Sequence, residues 1–483
     1  MITSQAYQAQ FEQIALMHTL TGVPTFVNTV EAICAAATGG CSTSDACHDT
    51  PKAIKDYIAA EHAAGVTQVV LGGDGTIVPS RITEAKYSNP LYPPAFDEFF
   101  YSDDYYGDLS NWDSNGDCVY ADAANDTLNY VPTVGISRIS FSSSSELDAY
   151  FAKEKQYLTA YNVSGIGKAL FMSNVATDLQ LLGQTIPIDS ALYFEDPGRT
   201  LSFVPSDFAV TKLYATASYP DAGLLTVPNE IAAFEAGANI VVHSGHGDEE
   251  DVTVEQDGSN EFSGQDAYVL QNAQYPVMIS CACEAATFMD GDGCAGQNFI
   301  TAPAGGGVGY LGNSTIGLGI AGGMQLLDQF LKYSFSQSNP LIGDAIVAAH
   351  VNMPQSDTFE VPVPVVGNVG APVVDLSSWQ WTQKAVTYLG DGLLPLYTDV
   401  ATTAAPTFTA TKSALGNFTT ITFAASAVAT GTLSVAIGNN VYELPLAGLS
   451  AAPSITVQGP VTTATIGYSA AGSLASFQTV SLP

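Results

Sequence analysis

The sequence is poor in basic residues. Only 13 of its 483 residues are Lys or Arg, against 47 Asp or Glu, so the formal net charge is −34. Nucleic-acid backbones and anionic membranes are bound through basic patches, and this composition argues against both as partners. Charged residues make up only 12% of the chain, so the imbalance reflects missing cations more than added acid. That favours an extracellular protein with a Ser-, Thr-, Asn- and Gly-rich surface over an acid-coated halophilic one.

The sequence also lacks a recognisable signal peptide and a bilayer-spanning run. Its first residues, MITSQAYQAQF, lead directly into a strand edge and an amphipathic helix. We therefore expect a cytosolic protein, or a mature form whose leader or pro-segment has been removed. The longest uncharged run, residues 301–327, is rich in glycine and has Asn313, Ser314 and Thr315 near its centre. This composition predicts a buried strand–turn–helix rather than a membrane span.

Cysteine is scarce, and its spacing forms no Cys-x-x-Cys pair, so a zinc site is not expected. Seven cysteines suit an extracellular enzyme with three disulfides and one working thiol. They are Cys34, Cys41, Cys47, Cys118, Cys281, Cys283 and Cys294. Their pairing cannot be assigned from the sequence.

Short apolar runs alternate with helical patterns up to about residue 400. The runs KALFMSN, NIVVHSG, YPVMISC and GGVGYLGN are continuously apolar and end in small or polar residues, as strands buried on both faces do. We therefore predict an α/β fold with a mostly parallel sheet flanked by helices. Ligands of such sheets gather at the carboxyl ends of the strands, which is where HSGHG and SCAC lie.

The last part of the chain has a different pattern. From about Thr402 it is nearly free of charge and consists of short alternating segments such as FTTITFAAS and GTLSVAIGNNVYELPL, separated by turn signals. This predicts an all-β, immunoglobulin-like sandwich over residues 402–483.

A histidine and a cysteine at strand ends carry the clearest chemistry. Of six histidines, His243 and His246 lie in IVVHSGHG, and glycines flank only His246 on both sides. Cys281 and Cys283 follow the apolar run YPVMIS. An imidazole beside a thiol can hold it as thiolate and later protonate a leaving amine, while backbone N–H groups at such turns can stabilise an oxyanion. From spacing alone, a structural loop is an equal alternative, and the other four histidines are expected to be structural.

Several blocks together resemble the gingipain family of caspase-like cysteine peptidases. IVVHSGHG and VMISCAC resemble the catalytic blocks of that family. Further blocks match in the same order: QVVLGGDGTIVPSR, SDDYYGDLSNWDSNGD, PTVGISRISFSSSSEL, GGGVGYLGNSTIGLG and VTYLGDGLLPLYTDV. The likeness covers residues 1 to about 400, and a trailing immunoglobulin-like module is typical of the family. It implies a peptidase of two sub-domains, residues 1–165 and a catalytic 166–400, ahead of the sandwich.

The resemblance implies which residues perform the chemistry. Cys283 follows a small residue and stands five positions before Phe288, as the family's nucleophile does. Cys281 has no aromatic residue at that offset. His246 matches the family's histidine because it, unlike His243, is followed by glycine.

The resemblance also implies the surroundings of these two residues. The backbone N–H groups of Gly247 and Cys283 would stabilise the oxyanion. Ser244 and Cys281 would line the substrate pocket, and a disulfide between Cys281 and Cys294 is the alternative for that thiol.

Two departures from the family pattern concern acidic residues. Members that cleave after basic residues carry an acid near the strand matching ALFMSNVATDL, where this chain has Asn174 and Val175. Either the site works as a Cys–His dyad, or Asp178 or another acid supports the histidine. Asp178 or Asp189 would also be the pocket acid that selects Arg or Lys, with a solvated loop acid as the alternative for both.

The segment WDSNGDCVYAD places oxygen donors at alternate positions, Asp113, Asn115 and Asp117, with Asp122 beyond them. Alternate side chains turned to one point resemble the start of a calcium loop, although the distant bidentate glutamate of an EF-hand is missing. Because gingipain-like peptidases bind calcium, the resemblance implies a structural calcium ion here. No organic cofactor is expected.

These features predict an extracellular or cell-surface cysteine endopeptidase that hydrolyses protein or peptide substrates through Cys283 and His246. The residue before the cut is expected to be basic, and the resemblance implies an inhibitory pro-segment. The alternatives are a transpeptidase or sorting enzyme on the same scaffold, and a non-catalytic surface adhesin. The sequence makes no prediction of the oligomeric state.

Overall fold

The structure of the chain is a computed structural model. It describes residues 1–42, 46–89, 95–122, 125–181, 184–216, 218–254, 261–289, 293–363, 367–427, 430–446 and 452–482. Among these residues, no helix has the length and apolar character needed to cross a membrane.

Strands and helices alternate through the first 400 residues. The strands are β1 (Ile2–Thr3), β2 (Asn28–Thr29), β3 (Gln68–Gly72), β4 (Arg81–Tyr87), β5 (Phe96–Ser102), β6 (Gly135–Ile139), β7 (Lys168–Ser173), β8 (Val175–Leu181), β9 (Gln184–Asp189), β10 (Ala209–Tyr214), β11 (Gly223–Leu224), β12 (Ile240–Ser244), β13 (His246–Gly247), β14 (Asp251–Val254), β15 (Phe262–Ser263), β16 (Val277–Ser280), β17 (Gly309–Asn313), β18 (Asp357–Val363), β19 (Gly367–Val374) and β20 (Val386–Gly390).

The helices of this part are α1 (Gln8–Leu20), α2 (Val30–Ala36), α3 (Thr50–Ala63), α4 (Asp104–Gly107), α5 (Ser144–Ala160), α6 (Ala191–Phe194), α7 (Val227–Glu235), α8 (Gly264–Tyr268), α9 (Ala295–Thr301), α10 (Gly323–Ser336), α11 (Ile342–Asn352) and α12 (Leu376–Ala385). The uncharged run 301–327 thus contains the end of α9, the buried strand β17 and the start of α10, as predicted.

The central sheet has 11 strands in the order β11-β10-β7-β12-β16-β17-β20-β6-β3-β1-β2. Every neighbouring pair is parallel except β17–β20. The sheet therefore consists of two parallel groups that run in opposite directions and meet at β17–β20. The predicted mostly parallel α/β fold is confirmed. Strand β20 runs with the group formed by residues 1–165, so the two expected sub-domains interlock in one sheet.

Strand β12 shows why these strands are continuously apolar. Ile240 and Val242 pack into one apolar cluster with α10 and α11, whereas Val241 packs into another with α5 and α9. All its residues are buried. Since each buried aliphatic side chain contributes about 1.5–3 kcal/mol, a strand covered on both faces is favoured by apolar residues at every position.

The cysteines form two disulfides, Cys34–Cys41 and Cys47–Cys118. Cys281, Cys283 and Cys294 are free thiols, so the expectation of three disulfides is wrong. The alternative pairing of Cys281 with Cys294 is also wrong, because the two side chains belong to apolar clusters on opposite faces of the sheet.

The chain ends in a β-sandwich. Its strands are β21 (Phe408–Leu415), β22 (Phe418–Ala425), β23 (Thr432–Ile437), β24 (Asn440–Pro445), β25 (Ser454–Gln458), β26 (Thr463–Ser469) and β27 (Ser476–Ser481). They form two antiparallel sheets, β21-β22-β25 and β24-β23-β26-β27, around their own apolar core. The predicted immunoglobulin-like sandwich is confirmed. Its strands β26 and β27 pack on α1 and α5 of the preceding part.

Candidate active site

The carboxyl ends of four neighbouring strands border one cavity. Strands β7, β12, β16 and β17 run parallel side by side, and the segments after them supply most of the lining of a cavity of about 240 Å³. This is the edge at which parallel sheets bind their ligands. The lining includes His246, just after β12, and Cys283, just after β16. The candidate base and the candidate nucleophile thus meet at one site.

Glycine at position 247 lets the histidine loop lie against the cysteine loop. Residues His246–Gly247 form β13, which pairs antiparallel with β14. A Cβ atom on Gly247 would lie 2.7 Å from both the Cβ of Ala282 and the carbonyl oxygen of Asp251, closer than non-bonded atoms pack. Only glycine fits without displacement. The His-Gly pair is therefore a packing requirement of the site.

Cys283 lies on a tight turn directly after β16. Glu284 has a φ of +55°, a left-handed conformation that costs energy for a non-glycine residue and often marks functional sites. The N–H of Ala285 donates to the Cys283 carbonyl at 2.6 Å. The side-chain amide of Asn313 donates to the Ala282 carbonyl at 2.9 Å. These bonds hold the turn in place while the Cys283 side chain lines the cavity.

The Cys283 thiol receives a hydrogen bond from the loop after β17. The N–H of Gly317 lies 3.3 Å from its Sγ atom. Burial raises the pKa of the Cys283 thiol, and the Gly317 hydrogen bond offsets only part of that rise. The resting thiol is therefore protonated at neutral pH and needs a base before it can attack.

The two histidines of the loop differ in environment. His243 is fully buried, and its Nδ1 lies 2.8 Å from the hydroxyl of Ser280. Burial, followed by the nearby His246, lowers the pKa of His243 to about 3, so it is a neutral core side chain. His246 lines the cavity, and its Nε2 atom has no hydrogen-bond partner among the described residues. An imidazole in that position can exchange a proton with the thiol and with bound substrate.

Ser244 and Cys281 also line the cavity, in agreement with the resemblance. Burial, followed by the charge of Asp328, raises the pKa of the Cys281 thiol well above its ordinary value. Its Sγ lies 3.7 Å from the sulfur of Met324. Cys281 is therefore an unreactive wall of the cavity.

The two backbone N–H groups that are expected to stabilise the oxyanion, those of Gly247 and Cys283, belong to segments that pack against each other. A Cβ atom on Gly247 would lie 3.4 Å from the carbonyl oxygen of Cys283. Within the described part of the chain, the Cys283 N–H donates to no carbonyl oxygen, whereas the N–H of Ala282 donates to the Ser280 hydroxyl at 3.1 Å. The oxyanion roles of Gly247 and Cys283 stay predictions.

Asp189, expected as a support or specificity acid, has a structural environment instead. It is 3% exposed and does not line the cavity. Its carboxylate accepts hydrogen bonds from Ser173, Ala191 and Thr216. Through these bonds Asp189 links the end of β7 to the end of β10. The side chain of Asp178, the other expected acid, lies outside the described residues.

The predicted calcium loop is closed by its own hydrogen bonds. The N–H of Asp117 donates to the side-chain oxygens of Asp113 (2.9 Å) and Asn115 (3.1 Å), and Asp122 accepts from the Asn125 amide. The oxygens of Asp113, Asp117 and Asp122 do not all lie within 4.8 Å of one another. These described side chains therefore form no ready coordination shell, and the calcium ion stays a prediction.

Residues missed by the sequence reasoning form the rest of the cavity. Tyr87 and Phe96 reach it from the β4–β5 hairpin, and the segment 316–321 closes the other side. The block GGGVGYLGNSTIGLG marked this second segment as part of the family pattern. No sequence signal placed the hairpin at the site.

Comparison with known proteins gives the family and the fold. The sequence model of peptidase family C25 matches residues 1–397, and no curated protein matches the chain. Similar solved structures include the complex of the pro- and mature domains of RgpB from Porphyromonas gingivalis (16% identity, TM-score 0.61, covering 100% of this chain and 99% of that chain). The Arg-specific cysteine proteinase gingipain R, RgpB, is 15% identical (TM-score 0.63, covering 100% and 97%). A further chain described as a protease is 14% identical (TM-score 0.64, covering 100% and 96%). At these identities the structures show a shared fold.

Proposed function

The chain belongs to peptidase family C25 and is a cysteine proteinase, and from that premise we propose that it is an endopeptidase in which Cys283 is the nucleophile and His246 transfers the protons. The observation that carries this proposal is that both side chains line one cavity, with the Gly317 N–H on the Cys283 sulfur. No supporting acid is needed for the proposal, which describes a Cys–His dyad.

The geometry supports a two-step acyl transfer. His246 takes the proton of the Cys283 thiol as the sulfur attacks the carbonyl carbon of the scissile bond. The negative charge that develops on the carbonyl oxygen is stabilised by the N–H groups of Cys283 and Gly247. The tetrahedral species collapses, the C–N bond breaks, and His246 returns the proton to the leaving amine. Water, deprotonated by His246, then hydrolyses the thioester and releases the Cys283 thiol.

Two disulfides support an extracellular or cell-surface location, because such bonds persist in oxidising compartments. A relative has been solved as a complex of its pro- and mature domains, and we extend an inhibitory pro-segment to this chain by analogy. An Arg or Lys preference, which the Arg-specific relative suggests, requires an acid in the pocket. The described lining contains none.

The proposal is tested by comparing Cys283→Ala with the matched variant Cys281→Ala in a digest of an unfolded protein with mixed cleavage sites. Loss of cleavage in Cys283→Ala, with activity kept in Cys281→Ala, is the expected result. The reverse pattern would contradict the assignment of the nucleophile. Products joined to an added amine acceptor would identify a transpeptidase, and absence of cleavage by the unaltered chain would favour the adhesin.

A further inference from the structure

The cavity beside Cys283 is lined by apolar side chains. We propose that it holds an aromatic or large aliphatic side chain of the residue whose carbonyl is attacked, so that this peptidase cuts after apolar rather than basic residues. The inference rests on the proposed function and names its substrate class.

One wall of the cavity is aromatic. Tyr87 and Phe96 face each other across the β4–β5 hairpin with ring centroids 4.7 Å apart, and Phe96 packs edge-on against Trp381 at 4.8 Å. Tyr87 is 3% exposed. Packed rings of this kind present a flat apolar surface and have little freedom to move aside.

A second part of the lining is aliphatic and is held by the same tryptophan. Ile316, Leu318 and Ile320 line the cavity, and the indole N–H of Trp381 donates to the Ile316 carbonyl at 2.8 Å. Ile316 and Leu318 pack on the cluster that contains Tyr87 and Trp381. Both walls therefore form one packed unit with a fixed spacing.

The remaining lining is small and uncharged. Cys281 and Ala321 are buried side chains, 3% and 4% exposed, and Ala176 contributes from the irregular register at the start of β8. Ser190 and Ser244 supply hydroxyl groups, which can orient a substrate but cannot neutralise a cation.

Three described acids, Asp328, Glu98 and Glu284, act electrostatically on Cys281 or Cys283, but none of them is part of the cavity lining. Asp328 acts electrostatically on Cys281, yet its oxygens accept hydrogen bonds from Thr200 and Tyr193, and it is 3% exposed. Glu98, whose charge reaches Cys283, accepts from the Thr315 hydroxyl. None of the described residues that line the cavity is an acid, so a guanidinium or ammonium entering it would lose its water without gaining a charged partner from that lining, which is strongly unfavourable.

The cavity is large enough for the proposed side chains. Its volume is about 240 Å³, whereas an apolar cavity of roughly 150 Å³ already binds benzene. A phenylalanine, leucine or methionine side chain therefore fits, and alanine would leave most of the space empty.

The test is kcat/KM for a set of peptides that differ only in the residue before the cut: Phe, Leu, Met, Ala, Arg, Lys and Asp. We expect the three large apolar residues to exceed Ala by roughly tenfold or more, since removing methylenes from such a pocket costs on that order. We expect them to exceed Arg and Lys by at least as much. Faster cleavage after Arg, Lys or Asp, or equal cleavage after all, would overturn the inference.

A matched pair of variants tests the missing charge directly. Ala176→Asp adds a carboxylate to the lining, and Ala176→Asn adds the same shape without charge. We expect Ala176→Asp, and not Ala176→Asn, to raise the Arg/Phe ratio of kcat/KM by at least roughly tenfold, the scale of a new charged hydrogen bond. An unchanged ratio in a variant that still cleaves the Phe peptide would count against this pocket as the specificity site.

The outcomes separate this inference from the proposed function. Cleavage after Arg that disappears in Cys283→Ala would overturn the apolar preference and leave the peptidase intact. Absence of cleavage of every peptide by the unaltered chain would overturn the proposed function, and the inference with it.

Discussion

A buried charge cluster joins three elements of the peptidase, and its loss should destabilise the chain in a pH-dependent way. The Nε2 atom of His18 on α1 lies 2.8 Å from Asp391 and 3.2 Å from Glu154 on α5. All three side chains are at most 1% exposed. Burial alone would lower the pKa of His18, but Asp391 and then Glu154 outweigh it and hold the pKa well above its ordinary value. His18 is therefore a cation in the folded chain.

Replacing His18 by glutamine leaves two buried carboxylates without a cation. Removing one partner of a buried charge pair costs roughly 3–5 kcal/mol, so we expect His18→Gln to lose about that much free energy of unfolding at pH 8. The stability that protonated His18 contributes is complete at pH values below the ordinary pKa of histidine. It is lost as the pH rises through the raised pKa that His18 has in the folded chain. The unaltered chain therefore has the full contribution at pH 5 and only part of it at pH 8, which lies between the ordinary pKa and the raised one.

The variant should recover stability on acidification. Burial, followed by Asp391, raises the pKa of Glu154. An acid with a raised pKa in the folded state binds protons more readily there than in the unfolded chain, so folding gains stability as pH falls. Without His18 this effect grows, since each carboxylate faces only the other. His18→Gln should accordingly be more stable at pH 5 than at pH 8.

Urea unfolding monitored by tryptophan fluorescence at pH 5 and pH 8 measures both quantities. His62→Gln is the control, because the Nδ1 atom of His62 on α3 lies 2.9 Å from the Val66 carbonyl oxygen, and His62 has no carboxylate partner in the part of the chain that the structure describes. The double variant His18→Gln, Glu154→Gln should regain part of the loss, since one unpaired carboxylate is removed. A deficit below about 1 kcal/mol at pH 8, or a variant no more stable at pH 5 than at pH 8, would refute the charge argument.

Three further predictions concern the site and its supports. Gly317→Ala should lower kcat at least roughly tenfold, because its Cβ would lie 2.3 Å from a carbonyl oxygen and displace the N–H on the Cys283 sulfur; unchanged kinetics would contradict that role. Removing the Cys47–Cys118 disulfide, whose partners are 71 positions apart, should lower the free energy of unfolding by about 4 kcal/mol. Removing Cys34–Cys41, with a separation of 7, should lower it by only about 2 kcal/mol. Equal urea midpoints in the two serine variants would contradict this order. If the calcium prediction is right, calcium at about 100 times its Kd should add about 2.7 kcal/mol of stability, an effect lost in Asp117→Asn; the same melting temperature in calcium and in EGTA would count against it.

The strand ends of the site could be predicted because their signal is local. A strand buried on both faces must be apolar throughout, and the change to small or polar residues marks its end. His246 and Cys283 follow two such strands, β12 and β16, which are adjacent in the sheet. The distinction between Cys281 and Cys283 likewise needed only neighbouring residues, and the burial of Cys281 agrees with it.

Features that depend on distant segments were missed or wrongly predicted. The disulfides link Cys34 and Cys47 to partners that no spacing rule singles out. Asp189 looked like a loop acid, but it accepts hydrogen bonds from Ser173 and Thr216 in two other segments and from the nearby Ala191. Strand β20 joins the first group of strands from more than 200 residues away in the chain, and no local pattern in the sequence indicates that pairing.

Local sequence signals and contacts between distant segments determine different properties of this chain. The former concern the proposed mechanism, and the latter concern the proposed specificity. The proposed nucleophile and base, Cys283 and His246, follow adjacent parallel strands, so the sheet itself brings them to one edge. The cavity wall comes instead from a hairpin near residue 90 and from the segment 316–321, joined through Trp381. Neither segment belongs to the central sheet, so the geometry of the sheet does not require an acidic residue in either of them. A sequence can therefore retain the Cys–His pair while its pocket changes from one that binds cations to one that binds apolar side chains.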